Sequence, residues 1–125
     1  GGPLQASVDI LEELHAQGVR LYALTNWSQE TFPVALRRYA FLQRFAGILV
    51  SGQERLVKPD PAIFALLLSR YAIDPARAVF VDDAPRNVRA AAAQGLHALQ
   101  FRDAATLRAE LRALGLPLRG AGQDA

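Results

Sequence analysis

"AVFVDDAPRNV", residues 78–88, runs four apolar residues into two adjacent acids, then a proline, an arginine and an asparagine. Ala78 to Val81 is short and uniformly apolar, the pattern of a strand buried on both faces of a parallel sheet. Two carboxylates side by side at the end of such a strand raise each other's pKa and cost free energy unless a cation is shared between them. The stretch therefore points either to a metal-binding pair or to a solvated turn. Pro85 suits the first turn of a helix, where its missing N–H costs nothing, and the helix runs to Gln94, with Gly95 as its stop.

The same alternation of short apolar strand and helix continues on both sides. Towards the carboxyl end, His97 to Phe101 reads as a strand, and Ala104 to Leu114 as a helix capped by Asp103 and stopped by Gly115. Towards the amino end, Asp60-Pro61 opens a helix with Ile63, Leu66, Leu67 and Tyr71 on one side, and Asp74-Pro75 repeats the device for a short turn. "GILVS", residues 47–51, is a buried strand, and residues 29–45 are helical in two pieces, with Pro33 in a first turn. Val19 to Leu24 is the first strand. Before it, Val8, Leu11 and Leu14 recur at helical spacing between a capping Ser7 and Gly18. The order describes an α/β fold: a parallel sheet with helices on both faces and right-handed crossovers. Such sheets bind ligands beyond the carboxyl ends of their strands.

The chain of 125 residues is one domain by size, 51% apolar and 21% charged, and no apolar run approaches the ~20 residues of a membrane span. Cysteine is absent, which excludes disulfides, thiolate metal sites and cysteine nucleophiles together, and nothing argues for secretion. The net charge is only +2 and the arginines are scattered, so neither nucleic acid nor a membrane surface is implied as a partner. The chain begins Gly1-Gly2-Pro3 and contains no methionine, which suggests a piece of a longer protein. Thirteen arginines face a single lysine, Lys58, which marks a task a guanidinium cannot perform, or chance.

Three strands run into polar sets: "LTNWS" (24–28), "SGQERLVKPDP" (51–61) and "VDDAPRN" (81–87). Thr25 offers a hydroxyl, and the backbone N–H groups of Asn26 and Trp27 suit an anionic oxygen. Lys58 offers a point charge, held in extended chain by Pro59. Asp82 and Asp83 offer hard oxygens of the kind Mg²⁺ takes, one or two at a time, with water and phosphate completing its shell. Asn87 either orients a metal ligand or caps the helix, and Trp27 either lines a substrate entrance or packs on its neighbour. Each feature alone is more often a turn, a surface lysine or a cap; their arrival in order at successive strand ends favours a site. His15 and His97 lie away from the motifs, so no Ser-His-Asp triad is visible.

These residues resemble the haloacid dehalogenase superfamily of hydrolases: "LTNWS" its second motif, "VKPDPAIF" its third and "VFVDDAPRNVRAA" its fourth, over about residues 7–115. The resemblance implies a Rossmann-like core over residues 1–115, with a loose tail at 116–125, and a Mg²⁺-dependent phosphatase acting on a small phosphorylated metabolite in the cytoplasm. It assigns Thr25 and the Asn26 amide to the phosphoryl group, Lys58 to stabilising its charge, with Thr25 and Lys58 the catalytic candidates, and Asp82 and Asp83 to the metal; the reading of the residues adds Trp27 as a substrate-binding candidate and Asn87 at the metal. The family's first motif, an Asp-x-Asp after the central strand, is nowhere in the sequence, and Asp9 sits in a helix and cannot replace it. The nucleophile and the substrate-selecting cap would then lie upstream, the sheet should show a gap or a collapsed seam where the central strand belongs, and these residues alone should be inactive. The alternatives are a 2-haloacid dehalogenase, whose fourth motif typically carries Ser-Asn where this chain has Asp82-Asp83, a non-catalytic binding remnant, or a permuted receiver-like domain.

Overall fold

The computed structural model describes residues 3–25, 47–50 and 61–120. Four α-helices, α1 (Pro3–Ala16), α2 (Pro61–Arg70), α3 (Pro85–Ala93) and α4 (Ala104–Ala113), accompany four strands, β1 (Tyr22–Thr25), β2 (Gly47–Val50), β3 (Val79–Asp82) and β4 (His97–Gln100). β1 pairs with β2 and β3 with β4, both in parallel. Among the described residues no ladder joins the two pairs. The α/β class with parallel strands follows the sequence reading.

Alternation along the β3–β4 ladder sends side chains to two separate cores. Phe80 and Ala98, partners in the register, face Ile63, Phe64 and Leu67 of α2 and Ala91 of α3. The Phe64 and Phe80 rings meet edge to face at 5.2 Å, a favourable arrangement for their quadrupoles. Val79 and Leu99 face the other way, onto Ile10 and Leu14 of α1 and Leu111 of α4. Ile10, Ile63 and Phe64 are fully buried, each stabilising the fold by about 1.5–3 kcal/mol relative to exposure. Helices thus cover both faces, as a parallel sheet requires.

All four described α-helices end in the same way. The N–H of the third residue past the helix bonds back across the last turn, as in Val19 to the Leu14 carbonyl at 3.0 Å, Ile73 to Leu68 at 2.9 Å, Leu96 to Ala91 at 3.3 Å and Leu116 to Leu111 at 3.1 Å. The residue between must be left-handed, a conformation natural to glycine, and Gly18 and Gly95 supply it with φ of 79° and 88°. After α2 the position falls to Ala72, at φ 52°. The 3₁₀ turn at Pro75–Arg77 starts on Asp74, which accepts from the Ala76 N–H at 3.0 Å, and α4 starts on Asp103, which accepts from Thr106 at 2.7 Å.

Two expectations change. The first helix begins at Pro3, placing Ser7 inside it, because a proline needs no N–H bond at a helix start. Residues 116–120, assigned to a loose tail, lie against the core: Leu118 is buried beside Leu111, and Arg112 Nε and Arg108 Nη1 donate to the carbonyls of Leu118 and Arg119, both at 3.1 Å. The helix expected over 29–45 and the capping Asp60 lie outside the described residues, as does 121–125. Among the described residues no helix is long and apolar enough to cross a membrane.

Candidate functional site

β3 ends on Asp82, and the chain turns through Asp83 and Ala84 into α3. The half-buried Asp82 carboxylate is held within its own loop. Its Oδ1 accepts from the Ala84 N–H at 2.9 Å, the short turn that aspartate side chains make with the backbone two residues on. Its Oδ2 accepts from Nδ2 of Asn87 at 3.3 Å. The Asp83 side chain is exposed at the turn. Both acids stand just before the first turn of α3, whose free N–H groups offset negative charge by about 0.3–1 kcal/mol.

Asn87 is 7% exposed, and among the described residues its Oδ1 has no hydrogen-bond partner. A buried carbonyl oxygen left unpaired costs about 1–3 kcal/mol, so the environment suits a group that donates or carries positive charge. The two sequence readings of Asn87 are separated by the start of α3. Its N-cap is Ala84, with no side-chain cap bond, and the Asn87 amide turns to Asp82 instead.

β4 supports the same turn from the other side. The Phe101 N–H donates to the Asp82 carbonyl at 2.8 Å, extending the parallel ladder by one bond, and Gln100 Nε2 donates to the Asp83 carbonyl at 3.4 Å. Gln100 is the register partner of Asp82, which is why its side chain reaches this loop. Sequence reasoning missed Gln100: its role depends on the strand register, and only its place as the last residue of the neighbouring strand could have signalled it.

The structure therefore brings Asp82, Asp83 and Asn87 together within six residues of chain. Thr25 ends β1 as Asp82 ends β3, and it is described through its backbone. Asn26, Trp27 and Lys58 lie outside the described residues. Among the described residues there is no cluster of three acids or histidines. A pair of carboxylate side chains beside an unpaired buried amide oxygen nevertheless fits Mg²⁺, a hard cation that binds through one or two carboxylates and keeps several waters.

Residues 3–95 match the family model of the haloacid dehalogenase-like hydrolases. A sesquiterpene phosphatase of Aspergillus oryzae is 34% identical over 105 residues, which make up 84% of this chain and 54% of that protein. Acyl-CoA dehydrogenase family member 10 of Mus musculus is 34% identical over 113 residues, 86% of this chain and 10% of that one. A crystal structure of a family enzyme from Bacteroides thetaiotaomicron, in complex with magnesium and inorganic phosphate, is similar with a TM-score of 0.69 at 22% identity, covering 78% of this chain and 52% of that one. The likeness to that structure is one of fold. The chain spans about half or less of the length of these proteins.

Proposed function

Because this chain belongs to the haloacid dehalogenase-like hydrolases, we propose that the protein carrying it hydrolyses phosphate monoesters of small metabolites, with Mg²⁺ held at the end of β3. The observation that carries this reading is the adjacent pair Asp82 and Asp83 beside the unpaired, buried Asn87 oxygen. A phosphatase at 34% identity supports the same reaction class.

In this reading Asp82, Asp83 and Asn87 form the metal site, and the bound ion supplies positive charge that offsets the phosphoryl oxygens. Thr25, at the end of β1, gives its hydroxyl and the following Asn26 its N–H to the phosphoryl group, with Trp27 beside the substrate. Lys58 adds a compact charge that stabilises the same oxygens as negative charge builds in the transition state. The attacking carboxylate comes from outside these 125 residues, since no Asp-x-Asp occurs within them. It attacks phosphorus as the bond to the ester oxygen breaks and the alcohol leaves, and water then cleaves the aspartyl-phosphate to inorganic phosphate and the free carboxylate. A strand bearing that carboxylate, set between the separate β1–β2 and β3–β4 pairs, would lie beside both Thr25 and Asp82. The protein works in the cytoplasm, and the present residues alone do not turn over.

The experiment is a paired assay on the complete protein. Phosphate release from an aryl phosphate that needs Mg²⁺ and stops in excess chelator supports the phosphatase. Halide release from a 2-haloacid without added metal overturns it in favour of a dehalogenase.

A further inference from the structure

The turn that carries the two acids is gripped from two elements at once. From α3, Nδ2 of Asn87 holds Oδ2 of Asp82 at 3.3 Å while the Ala84 N–H holds Oδ1 at 2.9 Å. From β4, Gln100 Nε2 holds the carbonyl of Asp83 at 3.4 Å, and the Phe101 N–H holds the carbonyl of Asp82 at 2.8 Å. Two of these four bonds come from backbone and would survive any substitution. The other two come from side chains, and neither side chain is required by the fold in an obvious way. An apolar residue would fill the buried Asn87 position more cheaply than an amide with an unpaired oxygen, and the half-buried Gln100 ends a strand whose alternation would accept almost any residue.

The two grips act on different parts of the turn. Asn87 fixes the carboxylate of Asp82. Gln100 fixes the peptide between Asp83 and Ala84, whose rotation would swing the Asp83 side chain away from its neighbour. A cation held by few protein ligands depends on those ligands standing ready, because any reorganisation is subtracted from its binding free energy.

Building on the proposed metal-dependent function, we propose that Asn87 and Gln100 are a pair of positioning residues that hold the Asp82–Asp83 turn in its cation-binding form, one through the carboxylate and one through the backbone. Gln100 thereby joins the site although it lies on a different strand and touches no substrate. The strength of each grip orders the expected effects. A bond to a charged carboxylate contributes more than a long bond to a neutral carbonyl, so loss of the Asn87 amide should weaken Mg²⁺ binding about tenfold or more, and loss of the Gln100 amide about threefold.

The test titrates Mg²⁺ alone into the complete protein by calorimetry, for the parent, Gln100→Met, Asn87→Ala and the double variant, with Tm and the KM for an aryl phosphate measured alongside. Gln100→Met removes the donor while keeping the length of the side chain, so it stays informative if Asn87→Ala fails to fold. The expected result is weaker Mg²⁺ binding in both single variants in the stated order, with the KM of Gln100→Met, measured at Mg²⁺ concentrations that saturate it, within about twofold of the parent. Parent-like Mg²⁺ affinity in Gln100→Met and in any folded Asn87→Ala overturns the inference while leaving the phosphatase reading in place. A rise in the KM of Gln100→Met that persists at saturating Mg²⁺ also overturns it, because Gln100 would then act on the substrate. Absence of Mg²⁺ binding by the parent overturns the functional reading itself, and with it the premise of this pair.

Discussion

Replacing Glu13 by glutamine removes one charge and turns one accepting oxygen into a donor, at the point where the carboxyl-terminal residues are tied to the first helix. Arg108 of α4 grips the Glu13 carboxylate with both arms of its guanidinium, Nη1 to Oε1 at 2.8 Å and Nη2 to Oε2 at 2.5 Å. Arg119 adds its backbone N–H at 3.1 Å and its Nε at 3.4 Å. The Glu13 side chain is only 13% exposed, which sets this cluster apart from a surface ion pair. The Arg108 bond, opposed by burial and reinforced by Arg119, lowers the Glu13 pKa from 4.5 to about 2. At about 1.4 kcal/mol per pKa unit that is a ceiling of about 3 kcal/mol, and residual solvent at Arg108 and Arg119 reduces it to about 2 kcal/mol. Because the folded pKa is depressed, this stability is fully present above pH 4.5 and is lost as the pH falls from there towards about 2. Glu13→Gln should therefore be less stable by about 2 kcal/mol at neutral pH and should lose less on acidification than the parent. Urea unfolding of both proteins at neutral pH and near pH 3 reads both quantities. Equal stability at neutral pH, together with parallel acid limbs, would refute the reasoning and reduce the cluster to a surface contact.

Ala72→Gly should stabilise the chain by up to about 1 kcal/mol, because the other three described helices place glycine at this left-handed position and the exposed Ala72 gives up no packing; a rise in Tm checks it. In the complete protein Lys58→Arg should lower kcat by about 10²-fold or more, since a planar fork cannot take the place of a compact ammonium beside a phosphoryl oxygen; parent-like turnover returns Lys58 to the surface. Asp83→Asn should weaken Mg²⁺ binding more than Asp82→Asn, because both Asp82 oxygens already accept bonds within the loop while the Asp83 side chain is exposed; the reverse order in a calorimetric titration contradicts this assignment.

The elements most legible in the sequence were those with strong local punctuation. Asp103 before α4, Asp74-Pro75 before the 3₁₀ turn and Gly95 after α3 each act through a bond or a dihedral that the residue type itself dictates. The alternation of apolar strands with helices carried the parallel strand pairs. What escaped depends on distant partners. The segment 116–120 looks loose in isolation, and its order comes from Arg108, Arg112 and Glu13, the last more than a hundred residues away along the chain. The site divides in the same way. Asp82, Asp83 and Asn87 were legible because they lie within one turn of chain, whereas Gln100 joins them only through the register of β3 against β4. Ser7 imitates a helix cap, because a serine before a periodic run is a strong cap signal, but Pro3, an equally good start four residues earlier, begins the helix.

The central claim is that these residues form the metal-binding part of a phosphatase whose attacking carboxylate lies elsewhere in the protein. Phosphate release from one aryl phosphate, followed in parallel for the complete protein and for the 125 residues alone in saturating Mg²⁺ and again after chelation, tests it most directly. The expected result is turnover by the complete protein with Mg²⁺, its loss on chelation, and none from the 125 residues in either condition. Turnover by the 125 residues alone, or activity of the complete protein that survives the chelator, would contradict it.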